Sequence, residues 1–184
     1  MLSYTFWHWK RPEVAEAEYE ERQRAFHRAL SAAPPPAFGG SSCFVISGAP
    51  WANDGGEAYE DWYLVSDSAA LDTLNVAAIS ASRQVPHDAA AAVAAGGTAG
   101  LYRIRVGTRP SAPAMAHWFS KPSGMSYLAL EQLLRPMVDL RQGALWCRQM
   151  TLGPTPEFCL QLPDPAAWDS GQLRARSVDL RRVA

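Results

Sequence analysis

The sequence predicts an α+β fold built from two tandem β-α-β-β-α-β units, the second with a shortened second helix. Three observations carry this. Period-two apolar alternation and 3.6-residue stripes take turns along the chain, which marks strands and helices in alternation. The phrase D-x-A-A-Φ-D occurs twice, in YLVSDSAALDTL (63–74) and LQLPDPAAWDSG (160–171). Other blocks repeat around it in the same order: HWKRP from His8 with HWFSKP from His117, Tyr19 with Tyr127, and CFVISGAP from Cys43 with CRQMTLGP from Cys147. Internal self-similarity in fixed order is a signature of duplicated architecture.

The elements follow in turn. LSYTFWHWK (2–10) alternates and is aromatic, hence a strand. Pro12 with Glu13 and Glu16 opens a helix, since Pro fits a first turn and acids suit its positive end. Ala15, Tyr19, Arg22, Phe26 and Leu30 give its stripe, and the Pro34–Pro36 run stops it. SSCFVISGAP and EDWYLV form a hairpin around Asn53-Asp54-Gly55-Gly56. Asp67 is placed to cap a helix through Leu71, Leu74 and Ala78. A short Ala-rich helix restarts at Pro86 and ends at Gly96-Gly97, and LYRIRVG (101–107) is a fourth strand. In the second unit, MAHWFSKP is a strand and SYLALEQLLRPMVDL a helix kinked or restarted at Pro136. ALWCRQMTL with EFCLQL is a hairpin, DPAAWDSG begins a helix of a turn or two, and SVDLRRVA closes the unit. The expected division is residues 1–107, a Pro- and Gly-rich linker at 108–113, and residues 114–184. Matching on Asp67 and Asp164 gives an offset of 164 − 67 = 97, which sets Glu60 against Glu157.

Composition excludes several functions. Seventeen Lys+Arg against 18 Asp+Glu leave a net charge of −1, so no field draws in nucleic acid or an anionic membrane. The N-terminus lacks a signal-peptide pattern and no run approaches the ~20 apolar residues of a membrane span. Cys43, Cys147 and Cys159 cannot all pair within one chain and include no C-x-x-C, which fits free thiols in the cytoplasm. No P-loop, dinucleotide fingerprint, nucleophile elbow or H-E-x-x-H helix occurs, so neither a metal nor a cofactor is expected.

Two fused units of the β-α-β-β-α-β, ferredoxin-like order resemble the dimeric α/β-barrel superfamily, which includes antibiotic-biosynthesis monooxygenases, muconolactone isomerases and chlorite dismutases. The resemblance covers nearly the whole chain at the level of element order, with no family-specific catalytic motif. It implies helices covering one face of each sheet and a cleft where the other faces meet.

Alternation assigns side chains to that cleft. Leu2, Tyr4, Phe6 and His8 fall on the helix side of the first strand, Trp7 and Trp9 on the other, with Trp118 their counterpart. Tyr102, Ile104 and Val106 are expected against helices, and Arg103 and Arg105 toward the cleft. Trp62, Arg148, Glu60, Glu157 and Gln161 complete the candidate lining. Tryptophan with arginine suits a small aromatic or carboxylated ligand, held by stacking and bidentate contacts. The matched His8 and His117 are the candidate proton carriers, by their titration near neutral pH; a buried structural histidine is the competing reading at both. His27, on a charged helix, is expected to be exposed, and His87 to sit in a capping turn. The sequence thus points to a small-molecule site working by cofactor-free monooxygenase- or isomerase-like chemistry. The alternatives are a non-catalytic sensor or carrier, or an interaction protein with a filled interior and a sheet edge that makes a homodimer.

Overall fold

A computed structural model describes residues 1–150, 153–165, 168 and 171–184. The chain divides into two compact units, Met1–Gly100 with Arg181–Ala184, and Leu101–Leu180.

In the first unit the order is β1 (Leu2–Lys10), α1 (Glu16–Ala32), β2 (Phe38–Ile46), β3 (Ala58–Val65), α2 (Ala69–Ala78), α3 (Gln84–Ala91) and β4 (Ala94–Gly107), the last running on into the second unit. The strands hydrogen-bond in the order β4-β1-β3-β2, and β9 (Arg181–Arg182) adds to the edge of β2. There Val183 N–H donates to Cys43 O at 2.8 Å and Cys43 N–H to Ala184 O at 3.0 Å, which covers an edge that would otherwise present bare backbone groups. β1 and β3 are antiparallel with Phe6 opposite Asp61, Trp7 opposite Glu60 and His8 opposite Tyr59, while Cys43 of β2 lies opposite Asp61 from the other side. Asp67 does cap α2, its Oδ1 accepting from Ala70 N–H at 3.1 Å.

Gly96-Gly97 does not end α3, as the sequence reading had it, but lies inside β4. The pair is needed for close approach. A Cβ on Gly97 would stand 2.5 Å from the Phe6 ring and 2.8 Å from the Trp7 carbonyl, and one on Gly96 2.6 Å from the Trp9 ring.

The second unit holds the rest of β4, then β5 (Met115–Phe119), α4 (Tyr127–Leu140), β6 (Ala144–Arg148), β7 (Phe158–Leu162) and β8 (Arg176–Asp179), with strand order β8-β5-β7-β6-β4. Ser126 Oγ caps α4 by accepting from Ala129 N–H at 3.0 Å. The helix runs through Pro136 without interruption, with that proline on the solvent side. It buries Leu130, Leu134 and Val138 against Val106, Phe119, Leu145, Phe158, Leu160 and Leu162, an all-apolar core. The helix expected from Asp164 lies partly outside the described residues; Asp164 itself pairs with Arg141.

The facing of β4 departs from simple alternation. Its pairing with β6 shifts register between Ile104 and Val106. Such an irregularity places two successive side chains on one face. Arg103 lies opposite Cys147 of the helix-side core, so Arg103 and Arg105 share the helix side and Tyr102 and Ile104 take the other face, the reverse of the expected assignment. The shift adds Val106 to the helix side beside Arg105, which reaches Glu131 of α4 at 2.7 Å. Tyr102 stacks edge-on with Trp118, at 5.3 Å between ring centres. No helix among the described residues is long and apolar enough to cross a membrane.

Candidate functional site

A cavity of about 560 Å³ lies in the first unit between the sheet and its helices. That is within the roughly 300–1,000 Å³ of small-molecule sites. The period of two brings Tyr4, Phe6 and His8 of β1 to it together with Asp61 and Tyr63 of β3. Tyr19, Gln23, Phe26 and Leu30, one continuous stripe of α1, form the opposite wall. Leu74 and Asn75 of α2 close one end, and the small Ala90, Ala91 and Ala94 leave the space open. None of the lining residues among those described is Lys or Arg.

At the floor of the cavity stands Asp61, 1% exposed in the middle of a strand. Tyr63 O–H donates to its Oδ2 at 2.6 Å. His8 Nε2 lies 3.2 Å from Oδ2 and His27 Nε2 3.4 Å from Oδ1. Each imidazole holds a hydroxyl with its other nitrogen: His8 Nδ1 meets Tyr19 Oη at 2.6 Å, and His27 Nδ1 meets Ser41 Oγ at 2.7 Å. One carboxylate therefore serves two histidines, each ending on a hydroxyl. Burial by itself would raise the Asp61 carboxyl, but the charge of the His8 and His27 imidazoles outweighs it and holds the group well below the usual carboxylate range. Burial, reinforced by the Asp61 charge, pushes the hydroxyls of Tyr19 and Tyr63 and the thiol of Cys43 upward, so all three stay protonated. His8, Cys43 and Asp61 each offer a donor atom, and these lie within 4.8 Å of one another, close enough to consider as metal ligands.

Of the residues singled out from sequence, His8 lies in this cavity and His117 does not. His117 Nδ1 bonds Ser177 Oγ at 2.7 Å, its ring packs edge-on against Trp168 at 5.1 Å, and burial, helped by the charge of Arg141, lowers its pKa to about 4. Trp7 and Trp62 belong to the opposite face of the β1–β3 pair, fully buried, with both indole N–H groups donating to Glu60 at 2.8 and 2.7 Å. Trp9 packs on Gly96. Arg103 is exposed, Arg105 is held by Glu131, and Arg148 donates to the Gly153 and Thr155 carbonyls, tying down the β6–β7 connection. Trp118 borders a shallower hollow of about 430 Å³ in the second unit, whose lining among the described residues has arginines but neither histidine nor carboxylate. Trp146 N–H donates to Gln161 at 3.1 Å, while Glu157 accepts from Lys121 N–H and Tyr127 O–H at the end of its hairpin.

Two histidines were misplaced by the sequence reading. His27 is only 4% exposed, because its position on α1 turns it toward β2 and β3 and away from the Glu/Arg face. His87 is within α3 and lines the cavity, edge-on to Phe26 at 5.4 Å. Asp61 was missed outright. Its signal was present: an Asp in the interior of a strand otherwise rich in aromatic and branched residues runs against strand preference and needs a buried partner.

No family model matches the sequence, and no curated protein does. Solved structures do resemble it over its whole length. A protein described as a monooxygenase from Lactobacillus acidophilus aligns with 100% of this chain and 94% of its own, at TM-score 0.58 and 9% identity. A protein described as a chlorite dismutase aligns with 100% and 96%, at 0.52 and 11%, and an anthrone oxidase-like protein with 100% and 91%, at 0.50 and 10%. These neighbours belong to the dimeric α/β-barrel superfamily, and the likeness, at such identities, is one of fold.

Proposed function

We propose that this chain binds a small neutral aromatic molecule in the helix-side cavity of its first unit and moves a proton on it, in an isomerase- or monooxygenase-like conversion. The observation that carries the reading is the coincidence of an aromatic-walled cavity with a buried, ionised Asp61 beside His8 at its floor. Tyr4, Phe6, Phe26 and Tyr63 offer ring faces and edges for stacking. A carboxylated ligand, admitted by the sequence reading, would find no Lys or Arg to hold it. His8 takes the proton from an acidic O–H or C–H of the ligand through Tyr19, and Asp61 orients the ring and stabilises the charge it acquires. Isomerisation returns the proton to another atom of the ligand; oxygenation takes dioxygen as co-substrate, one oxygen atom entering the ligand and the other leaving as water with two protons and two electrons that the ligand itself gives up. The chain is at the same time read as two copies of one ferredoxin-like unit, the first kept open for a ligand between sheet and helices and the second filled there by the apolar core under α4.

Thermal shift with anthrone and 1-naphthol tests binding, and product analysis tests turnover. Both probes are expected to stabilise the wild type and not Leu74→Trp, which fills the cavity. His8→Asn is expected to keep binding and lose turnover. Equal stabilisation of wild type and Leu74→Trp would overturn the site, and binding without conversion by the wild type would make the protein a carrier.

A further inference from the structure

The floor of the cavity gathers donor atoms that have no hydrogen-bond partner. His8 Nε2, His27 Nε2 and Asp61 Oδ1 are buried, and none makes a hydrogen bond, although both nitrogens stand 3.2–3.4 Å from the carboxylate. Buried polar groups in folded proteins are nearly always satisfied, so a group of orphans converging on one place calls for a missing partner. Cys43 Sγ joins His8 and Asp61 within 4.8 Å. The three side chains come from β1, β2 and β3, adjacent strands whose pairing fixes them, and not from loops.

We infer that His8, Cys43 and Asp61 form a three-ligand site for a divalent cation of the zinc class, with its remaining position open to the cavity. Donors around a tetrahedral ion with bonds of 2.0–2.3 Å stand roughly 3.3–3.6 Å apart, a separation that small side-chain rotations reach from the present one. Imidazole, carboxylate and thiolate together suit zinc or cobalt better than magnesium or calcium; the entering ion displaces the Cys43 thiol proton to solvent, and one carboxylate with one thiolate then neutralises a divalent charge. The outer contacts match as well. Ligating histidines hold their second nitrogen on an oxygen, as His8 does on Tyr19, and ligating carboxylates are themselves held, as Asp61 is by Tyr63. His27 stands behind Asp61 on its second oxygen and positions it. His8 and Asp61 line the cavity while Cys43 does not, so the open position faces the ligand.

The site stands on its own geometry and rests on the proposed function only for what meets the open position. With an ion on Nε2, the His8 proton is fixed on Nδ1 and is donated to Tyr19 Oη, so His8 takes the ligand's proton only in the metal-free chain, and in the ion-loaded chain the Tyr19 O–H donates toward a ligand oxygen.

The test is titration of the metal-stripped full chain with cobalt(II) chloride. The wild type is expected to bind about one equivalent, with a near-ultraviolet thiolate-to-cobalt absorption that zinc chloride abolishes by displacement. Cys43→Ser is expected to lose that absorption and at least about tenfold in affinity, and Asp61→Asn to lose affinity while retaining the band at high cobalt. Uptake of less than about a tenth of an equivalent by the wild type, or an unchanged spectrum and affinity in Cys43→Ser, overturns the site. Because wild-type uptake is measured directly, a variant that fails to fold does not rescue the proposal. Anthrone thermal shift on the same metal-stripped wild type separates the two readings: stabilisation without cobalt uptake overturns the ion site and leaves the cavity, and uptake without stabilisation does the reverse.

Discussion

Replacing Asp61 by alanine removes the one carboxylate of the cavity floor and leaves three buried groups facing a void: Tyr63 Oη, and the Nε2 atoms of His8 and His27. Removing one member of a buried charged cluster costs about 3–5 kcal/mol, because its partners keep their desolvation and lose their compensation. For a chain of this size about 2–4 °C of melting temperature accompanies each kcal/mol, so a drop of about 6–20 °C is expected. The pH dependence gives a second, independent reading. Asp61 titrates below its unfolded value, so its stabilisation is complete above the ordinary carboxylate pKa of about 3.9 and fades as pH falls through that value toward the folded one. The gap between wild type and Asp61→Ala must therefore narrow between about pH 5 and pH 2. Urea denaturation in chelator, followed by tryptophan fluorescence at pH 7 and pH 3, measures both, and Trp7 and Trp62 report from the same unit. A loss under about 1 kcal/mol at pH 7, or a gap of equal size at pH 3, would show that the carboxylate is neither ionised nor coupled to the histidines.

Three further outcomes follow from the geometry. Gly97→Ala drives a methyl into the Phe6 ring and the Trp7 carbonyl, and is expected to cost about 1–3 kcal/mol in thermal denaturation and to weaken aromatic ligands, since Phe6 walls the cavity. His117, with its pKa lowered to about 4 from an unfolded value near 6.5, withdraws stability as pH falls across that interval. His117→Phe should flatten the melting curve between those pH values and leave cavity binding unchanged. Arg105→Ala breaks a pair whose arginine is 40% exposed, so calorimetry should find at most about 1 kcal/mol lost and ligand titration no change.

What could be read in the sequence was whatever depends on local period. Alternation through residues 2–10 put Tyr4, Phe6 and His8 on one face and Trp7 on the other, and the structure has them so. The α1 stripe gave the wall residues Tyr19, Phe26 and Leu30, and Asp67 caps as its chemistry required. What failed depends on events that period does not record. In β4 the strand pairing puts Arg103 and Arg105 on the helix side, with a register shift that brings Val106 to the same face, and a glycine pair read as a helix stop proved to be a close contact between strands. His27 was misjudged by the Glu/Arg company it keeps in sequence, although a helix carries its exposed and buried faces in the same dozen residues. The site itself joins His8 to Asp61 across 53 positions, through strand pairing that no single sequence displays.

The two matched histidines show what decides between a chemical and a structural role on one frame. His8 faces Tyr59 across its strand pair and His117 faces Leu160, and two positions further along the same partner strands stand Asp61 and Leu162. Taking the histidines as equivalent also places Gln161, not Glu157, where the first unit has Glu60, which is the shift that offset matching could not detect. An imidazole in an apolar interior carries charge only if an anion shares the interior with it. Leu162 offers none, and Asp164, paired with Arg141, does not outweigh burial and that arginine's charge. His117 is thereby left neutral and packed. Asp61 changes both terms at once: it supplies the anion, and as a buried charge it gathers the two imidazoles, the tyrosine hydroxyl and the nearby thiol on which the proposed function rests. A single strand position, carboxylate in one unit and leucine in the other, thus separates a site from a core.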